Sequence, residues 1–498
     1  MARIMTILDE IARSRQQDVP LIREILNNGL LAAQTQNRQK LSSMLDYELG
    51  ISVISELKPG SPSKGQLIKI DSTMTTDLKR ITTPTVKNIR EKVIAMIDGG
   101  ARAISVLTEP IRFSASFGNL LKVCELIGEN VPILLKDFII SEEQIRLGKL
   151  CGASNALLIA SICDPLRLAK IMKKHDLEPL VEIHDESDLD RIKVLKDSDI
   201  KIVIGINNRN LKDLSTSFIP TYKLISEVHK IFGNTQPVIT ESGISDRGDI
   251  IELSRLDVNG ALVGTIIMKS NIKNKVKELV GNSQPFIKIC GVTDSDILTI
   301  FPRNIVTAFG VIVDVPTSPR NITTSEAKDL FEKSPKYLQR TIVTKGKTID
   351  EVLKLNEMIK PDLIQVHLKN YAFVEQLPKK LYKKLLVPIK MNTLGVEKTI
   401  KTINSLPPSV FGIVLDSSEG SGQLIDLNHA KQIVKSCKKY KIILAGGISE
   451  RNVNYIYNEV QPFGIDVSSS LEENKGKKSP ALVQNYIHKI KKIKKSYF

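Results

Sequence analysis

Charged, amide and thiol side chains recur in this sequence at one kind of place, where a short apolar run gives way to a polar stretch. In the first half these are Glu56 and Lys58, Lys136 and Asp137, Glu182, Asn207 with Arg209, Glu241 with Ser242, and then Gly264. In the second half the matching positions hold Cys290, Asp314, His367, Asp416, Gly446-Gly447 and Asp466. Taken singly, each is more often a surface charge, a loop cap or, for a cysteine, a small buried apolar residue. Gathered on one rim, the lysines and glutamates supply proton donors and acceptors for acid–base work on a carboxylated, phosphorylated substrate. The glycines of Glu241-Ser-Gly-Ile244 and Val263-Gly-Thr265 leave room for backbone amides to approach a phosphate.

Such a rim needs strands that all end on the same side. The apolar runs Val53–Leu57, Ala103–Leu107, Val131–Leu135, Ala156–Ile159, Pro179–Ile183, Ile202–Ile206, Pro237–Thr240 and Ala261–Val263 alternate with amphipathic stretches such as Val86–Ile97, Glu142–Leu150, Pro165–Lys174 and Glu186–Leu195. Eight strand–helix units predict a closed (β/α)8 TIM barrel over a doubly wound open sheet. Residues 1–50 carry Leu21, Ile22, Ile25 and Leu30 near helical spacing and predict a helical extension before the first strand. Gly281-Asn-Ser-Gln284 reads as a polar connector, after which the alternation resumes. The later runs are Phe286–Ile289, Ala308–Val313, Gln339–Val343, Leu363–Val366, Leu385–Ile389, Gly412–Leu415, Ile442–Ala445 and Gly464–Val467, with helical patterns at Thr348–Ile359, Leu427–Cys437 and Asn452–Glu459. The fold class expected is therefore α/β, two tandem TIM barrels, with domains at 1–282 and 283–498.

Composition narrows the function classes. At 498 residues the chain exceeds one hydrophobic core, and 42% hydrophobic with 25% charged residues is ordinary for a globular enzyme. No run approaches the ~18 apolar residues of a spanning helix, so no membrane role is expected. Met1–Val19 lacks the layout of a secretory signal. Cys124, Cys151, Cys163, Cys290 and Cys437 form no CxxC pair, which fits a reducing cytoplasm and argues against a disulfide framework or a metal site. The net charge of +16 raises nucleic acid as a partner, but the chain has no tryptophan and only 5% aromatic residues. The basic run Lys489–Lys495 reads first as a solvated helix end, next as steering for anionic small substrates, and last as a nucleic-acid contact. Dinucleotide fingerprints and Walker loops are absent, and no cofactor is expected.

Several stretches then match a known pattern. Ser55-Glu-Leu-Lys-Pro-Gly-Ser-Pro-Ser-Lys-Gly65, Ile104-Ser-Val-Leu-Thr-Glu109, Leu134-Leu-Lys-Asp-Phe138, Leu180-Val-Glu-Ile-His184, Ile204-Gly-Ile-Asn-Asn-Arg-Asn-Leu211 and Glu241-Ser-Gly-Ile244 resemble the indole-3-glycerol phosphate synthase family over residues 1–280. The resemblance implies ring closure of carboxyphenylaminodeoxyribulose phosphate with loss of carbon dioxide and water. It makes Lys136 the general acid on the substrate carbonyl and Glu182 the general base for dehydration. Glu56, Lys58 and Asn207 would position the substrate, with Ser61, Arg209 and Glu241 as further substrate contacts. Ser242, Gly243, Gly264 and Thr265 would hold the phosphate, Lys58 adding charge, and Phe113 and Phe138 would wall the anthranilate ring. Pro59 stands where the family usually has a basic residue, and Ala115 where it has a glycine.

The second half resembles phosphoribosylanthranilate isomerases. The carriers are Lys288-Ile-Cys-Gly291, Ser318-Pro-Arg320, Gln365-Val-His367, Leu415-Asp416 with Gly420-Ser-Gly422, Leu444-Ala-Gly-Gly-Ile448 and Asp466-Val-Ser-Ser469. The resemblance implies an Amadori rearrangement, with Asp416 the acid that opens the sugar and Cys290 the base that removes the C2′ proton. Arg320 would meet the anthranilate carboxylate, Gly422, Gly446, Gly447, Ser468 and Ser469 the phosphate, and Asp466 the amine nitrogen. Glu419, Leu368, Leu427 and Ser470 depart from that pattern. The two resemblances fall on consecutive reactions of tryptophan biosynthesis, the second half acting first. Three readings compete with this. One is a histidine-pathway barrel isomerase, which would use two aspartates; the others are a structural second barrel and a nucleic-acid role for the basic tail. The association state is left open, and a monomer is compatible with everything in the sequence.

Overall fold

A computed structural model describes residues 7–31, 37–45, 51–62, 64–70, 77–210, 213–281, 285–368, 370–416 and 426–495. The chain divides into two compact units, Met1–Asn282 and Ser283–Phe498; residues 282–284 of the expected connector lie outside the described residues.

In the first unit, β1 (Ser52–Leu57), β2 (Ala103–Leu107), β3 (Ile133–Lys136), β4 (Asn155–Ile159), β5 (Glu178–Ile183), β6 (Val203–Asn207), β7 (Val238–Glu241) and β8 (Gly260–Val263) form a closed barrel. All pairs are parallel, and β1 closes the ring by pairing with both β2 and β8. In the second unit, β9 (Phe286–Cys290), β10 (Ala308–Val313), β11 (Gln339–Lys345), β12 (Leu363–His367), β13 (Leu385–Lys390), β14 (Gly412–Asp416), β15 (Ile442–Ala445) and β16 (Gly464–Val467) close in the same way, β9 pairing with β10 and β16. A two-residue strand, Asn321–Ile322, adds to β10.

The period of two along each strand places the chemistry. Outward side chains such as Val53, Leu135 and Val181 pack under the helices, while Ile54, Leu134, Leu180, Val203, Ile239 and Leu262 fill the first barrel's interior. Two residues beyond these inward-facing apolar groups on β1, β3, β5 and β7 come Glu56, Lys136, Glu182 and Glu241, which therefore face inward at the rim. In the second barrel Phe286, Leu363 and Val414 occupy the interior layer, and Lys288, Gln365 and Asp416 follow two residues on.

The amino-terminal extension is α1 (Ile7–Asn27), whose buried stripe Leu8, Ile11, Arg15, Asp18, Val19, Ile22 and Ile25 keeps helical spacing. Leu30, expected in that pattern, lies past the helix end and is 48% exposed. No helix among the described residues is long and apolar enough to cross a membrane, and these residues contain no His/Cys/Asp/Glu cluster of metal-binding type.

Candidate active sites

The first barrel opens at the carboxyl ends of its strands into a cavity of about 420 Å³. Every first-half site residue expected from sequence lines it: Glu56, Lys58, Ser61, Phe113, Lys136, Phe138, Glu182, Asn207, Arg209, Glu241, Ser242, Gly243, Gly264 and Thr265. At its centre the Lys136 ammonium donates to Glu182 Oε2 at 3.3 Å and to Glu241 Oε2. Burial pulls this ammonium down, but Glu241, Glu182 and Glu56 outweigh it and hold Lys136 above the ordinary lysine range. Burial pushes the Glu182 carboxyl up, yet Lys136, His184 and Asn207 pull it below the usual value. Glu241 goes the other way: burial, with Glu182 adding like charge, pushes it up to about 7 despite Lys136. Two carboxyls driven apart around one lysine provide a standing base and a group that titrates near neutrality.

Around this centre, Phe113 and Phe138 lie with ring centroids 5.8 Å apart, and Lys58 Nζ sits 5.3 Å from the Phe113 centroid and 3.3 Å from Glu56 Oε1. Ser242 and Gly243 take consecutive left-handed conformations, φ +67° and +85°, a tight turn directly after β7. At Gly264 a Cβ would fall 2.3 Å from Glu56 Oε1, so a glycine there makes room for the carboxylate.

Other first-barrel residues join the site beyond the roles that the family resemblance assigns. Ile7, Leu8 and Ile11 of α1 form part of the cavity wall. The Glu109 carboxylate accepts the amides of Ile111, Arg112 and Phe113 at 3.0, 2.7 and 2.9 Å, fixing the loop that presents Phe113. His184 bridges two acids, with Nδ1 3.2 Å from Asp188 Oδ2 and Nε2 3.3 Å from Glu182 Oε1. Burial lowers its basicity, but Asp188 and Glu182 raise it above the ordinary histidine value. Asp137 faces Arg15 of α1 at 2.6 Å and accepts from Thr108 at 2.7 Å.

The second barrel's rim holds a cavity of about 370 Å³ lined by Cys290, Arg320, Asp416, Gly446, Gly447, Asp466, Ser468 and Ser469, together with Gln365 and His367. Gly446 and Gly447 are both left-handed, φ +94° and +63°. Ser468 Oγ donates to the Cys290 carbonyl at 3.0 Å. Ser470 uses its hydroxyl to bind the Ile448 carbonyl at 2.6 Å, tying together the loops after β15 and β16. Asp314 is not part of the cavity wall; its carboxylate accepts from Thr324 Oγ1 at 2.8 Å beside the start of a helix. Gly422 and Glu419 lie outside the described residues.

Charge in this site is arranged in two pairs that the motifs alone did not reveal. Arg320 is held by Glu472, which also accepts from Lys478 at 2.6 Å. Lys288, buried below Cys290, donates to Asp466 Oδ2 at 2.6 Å. Burial pushes the Cys290 thiol up, against the pull of Lys288. Burial likewise pushes Asp466 up, again opposed by Lys288.

Fold and sites together define a tandem (β/α)8-barrel enzyme with an acid–base centre at each strand-end rim. A family model for indole-3-glycerol phosphate synthase matches residues 8–279, and one for N-(5′-phosphoribosyl)anthranilate isomerase matches residues 287–489. The chain is 34% identical over 290 residues to the indole-3-glycerol phosphate synthase of Methanocaldococcus jannaschii, covering 55% of this chain and 99% of that protein. It is 28% identical over 455 residues to the tryptophan biosynthesis protein TrpCF of Helicobacter pylori, covering 90% of each. A multifunctional tryptophan biosynthesis protein of Phycomyces blakesleeanus is 26% identical over 558 residues, covering 98% of this chain and 70% of that one. The chain belongs to the indole-3-glycerol phosphate synthase family, fused to a phosphoribosylanthranilate isomerase domain, and is a bifunctional enzyme of tryptophan biosynthesis.

Proposed function

We propose that residues 283–498 isomerise N-(5-phosphoribosyl)anthranilate and that residues 1–282 convert the product to indole-3-glycerol phosphate, in the cytoplasm, with the roles below. The arrangement that carries this reading is the Glu182–Lys136–Glu241 centre set between an aromatic wall and a left-handed Ser242-Gly243 turn.

In the isomerase, Asp416 donates a proton to the furanose ring oxygen. The C1′–O bond breaks toward that oxygen while the amine lone pair forms the C1′=N iminium. Cys290, as thiolate, takes the C2′ proton, and the C–H electrons form C1′=C2′ and return the iminium electrons to nitrogen. The enolamine then tautomerises to the aminoketone. Arg320 faces the anthranilate carboxylate, and the Gly446-Gly447 and Ser468-Ser469 loops, with Gly422, hold the phosphate.

In the synthase, the aminoketone's ring carbon attacks the ketone as Lys136 protonates its oxygen. Loss of carbon dioxide leaves the alcohol, and Glu182 removes the proton that accompanies departure of water. Glu56, Lys58, Ser61, Asn207, Arg209 and Glu241 position the substrate, Phe113 and Phe138 stack its ring, and Ser242, Gly243, Gly264 and Thr265 take its phosphate.

The test is to supply phosphoribosylanthranilate to the full chain without added cofactor and follow both products. Indole-3-glycerol phosphate should appear. Cys290→Ser or Asp416→Asn should block only the first step, and Lys136→Ala or Glu182→Gln should make the aminoketone accumulate. Full-rate isomerisation by Cys290→Ser would remove the base assignment.

A further inference from the structure

The interior of the second barrel contains a cation that the roles above leave unused. Lys288 lies two residues before Cys290 on β9, so both side chains enter the barrel from the same face. Its side chain is 0% exposed, in an interior otherwise filled by Phe286, Ala308 and Leu363. A buried ammonium is costly unless each N–H is used. Here one N–H goes to Asp466 Oδ2 at 2.6 Å, across the Lys288–Asp466 register pair of β9 and β16. Another goes to Gln365 Oε1 at 3.1 Å, and the neighbouring Cys290 adds to the influences that raise the ammonium.

The fold also keeps clear the space beside both the sulfur and the ammonium. Gly310 on β10 is the register partner of Cys290. A Cβ at Gly310 would lie 3.0 Å from Cys290 Sγ and 3.2 Å from Lys288 Nζ. The second Asp466 oxygen, Oδ1, is buried without a protein partner, and Asp466 is part of the cavity wall. One carboxylate thus anchors Lys288 with one oxygen and has the other to spare.

We propose that Lys288 is a positioning residue for Cys290: its ammonium, pinned by Asp466 and Gln365, favours the thiolate form of the sulfur that removes the C2′ proton. The proposal rests on Cys290 being the base of the isomerase reaction. Lys288 keeps its own protons throughout; the proton taken from carbon ends on sulfur. Of the other charges facing the sulfur, Arg320 and Lys478 favour the thiolate, Asp466 disfavours it, and Asp416 acts on Asp466. Burial drives the thiol upward and Lys288 is the largest opposing influence, so removing Lys288 should push it higher still.

The experiment is the pH dependence of Cys290 alkylation by iodoacetamide, read on the Cys290 peptide by mass spectrometry of the full chain. Lys288→Met is compared with Lys288→Met/Asp466→Asn, which removes both charges and leaves no unpaired carboxylate. In Lys288→Met the alkylation midpoint should rise by roughly 1–3 pH units, and the isomerase kcat profile should move with it while the synthase rate on the aminoketone stays unchanged. In the double variant the midpoint should rise by less, because the Asp466 charge that itself pushes the thiol up is also gone. Cys437, 1% exposed, reports whether the barrel has stayed folded; if the single variant exposes it, the double variant carries the reading. An unmoved midpoint with Cys437 protected, or lost isomerisation at an unmoved midpoint, overturns the proposal. Full isomerisation by Cys290→Ser would instead defeat the base assignment while leaving the alkylation shift intact, so the two failures read separately.

Discussion

Arg320 and Glu472, 152 positions apart in sequence, form a two-pronged ion pair at the mouth of the second barrel, Nε to Oε1 at 2.6 Å and Nη2 to Oε2 at 2.9 Å. The same carboxylate accepts from Lys478 at 2.6 Å and from the Gly476 amide at 3.0 Å. The residue cast as the anthranilate anchor is therefore itself anchored by the hairpin that follows β16. Such preorganisation lets a guanidinium offer its remaining N–H groups in a fixed direction.

Glu472→Gln should accordingly destabilise the second barrel by about 2 kcal/mol, the scale of a charge-assisted hydrogen bond, and raise the isomerase KM more than it lowers kcat. The pH dependence has a definite sign. Burial pushes Glu472 up, but Arg320 and Lys478 outweigh it and bring the carboxyl down to about 2 from its ordinary 4.5. A depressed carboxyl stabilises fully above its unfolded value and loses that contribution as pH falls through the folded one. Acid unfolding between pH 4.5 and 2 should thus be shallower in Glu472→Gln than in the parent chain, measured by circular dichroism. Parallel acid-unfolding curves would show that the pair does not carry this linkage.

The Lys136–Glu241 pair predicts a pH signature for the synthase. Glu241 sits at about 7, raised first by burial and then by Glu182. Below that value it takes up a proton and stops orienting the Lys136 ammonium as an anion. The kcat/KM profile should fall as pH drops through about 7, as a property of the coupled group rather than of one residue. Glu241→Gln should lower the rate and flatten that limb. A limb near 7 that survives the substitution would have to come from another group, His184 being the nearest candidate.

The strand plan was legible because parallel strands buried on both faces read as continuous apolar runs, and the inward rim residues follow from the period of two. Lys136, Glu182 and Cys290 could be placed that way before any contact was known. What stayed hidden were partnerships made by distant segments. Nothing local marks Arg15, in an otherwise ordinary amphipathic helix, as the counter-charge of Asp137. Glu472 and Lys478 lie in a polar hairpin that reads as solvent-facing, yet both side chains are almost wholly covered. Lys288 stands within a motif, but a lysine in an apolar run gives no sign of its partners Asp466 and Gln365. Asp314 erred in the opposite direction: it ends a strand as expected, but its carboxylate serves the next helix.

Gly264 offers a steric test of the first site. Any side chain there would place Cβ 2.3 Å from Glu56 Oε1 and 3.1 Å from Glu56 Cβ, so the carboxylate must move. Gly264→Ala should lower synthase kcat/KM by roughly 100-fold, the scale of a 1 Å misplacement in a catalytic site, and leave isomerase activity at the parent level. A synthase within a few-fold of normal would mean that Glu56 can shift without consequence, removing its positioning role.

Arg15 is 0% exposed and bridges Asp137 at the end of β3 to Asp18 of its own helix, while Arg80 binds the other Asp18 oxygen at 2.7 Å. Breaking a buried pair from one side leaves an uncompensated charge and costs about 3–5 kcal/mol. Arg15→Met strands Asp137, whose neighbours in sequence are Lys136 and Phe138, and loosens a helix whose Leu8 and Ile11 line the cavity. The variant should lose synthase activity on heating well before the parent chain does, and should show a raised KM for the aminoketone at low temperature. Arg15→Met/Asp137→Asn should recover much of the heat resistance, because the stranded charge is gone. If the double variant were as heat-labile as the single, the cost would lie in lost packing of α1 rather than in the ion pair.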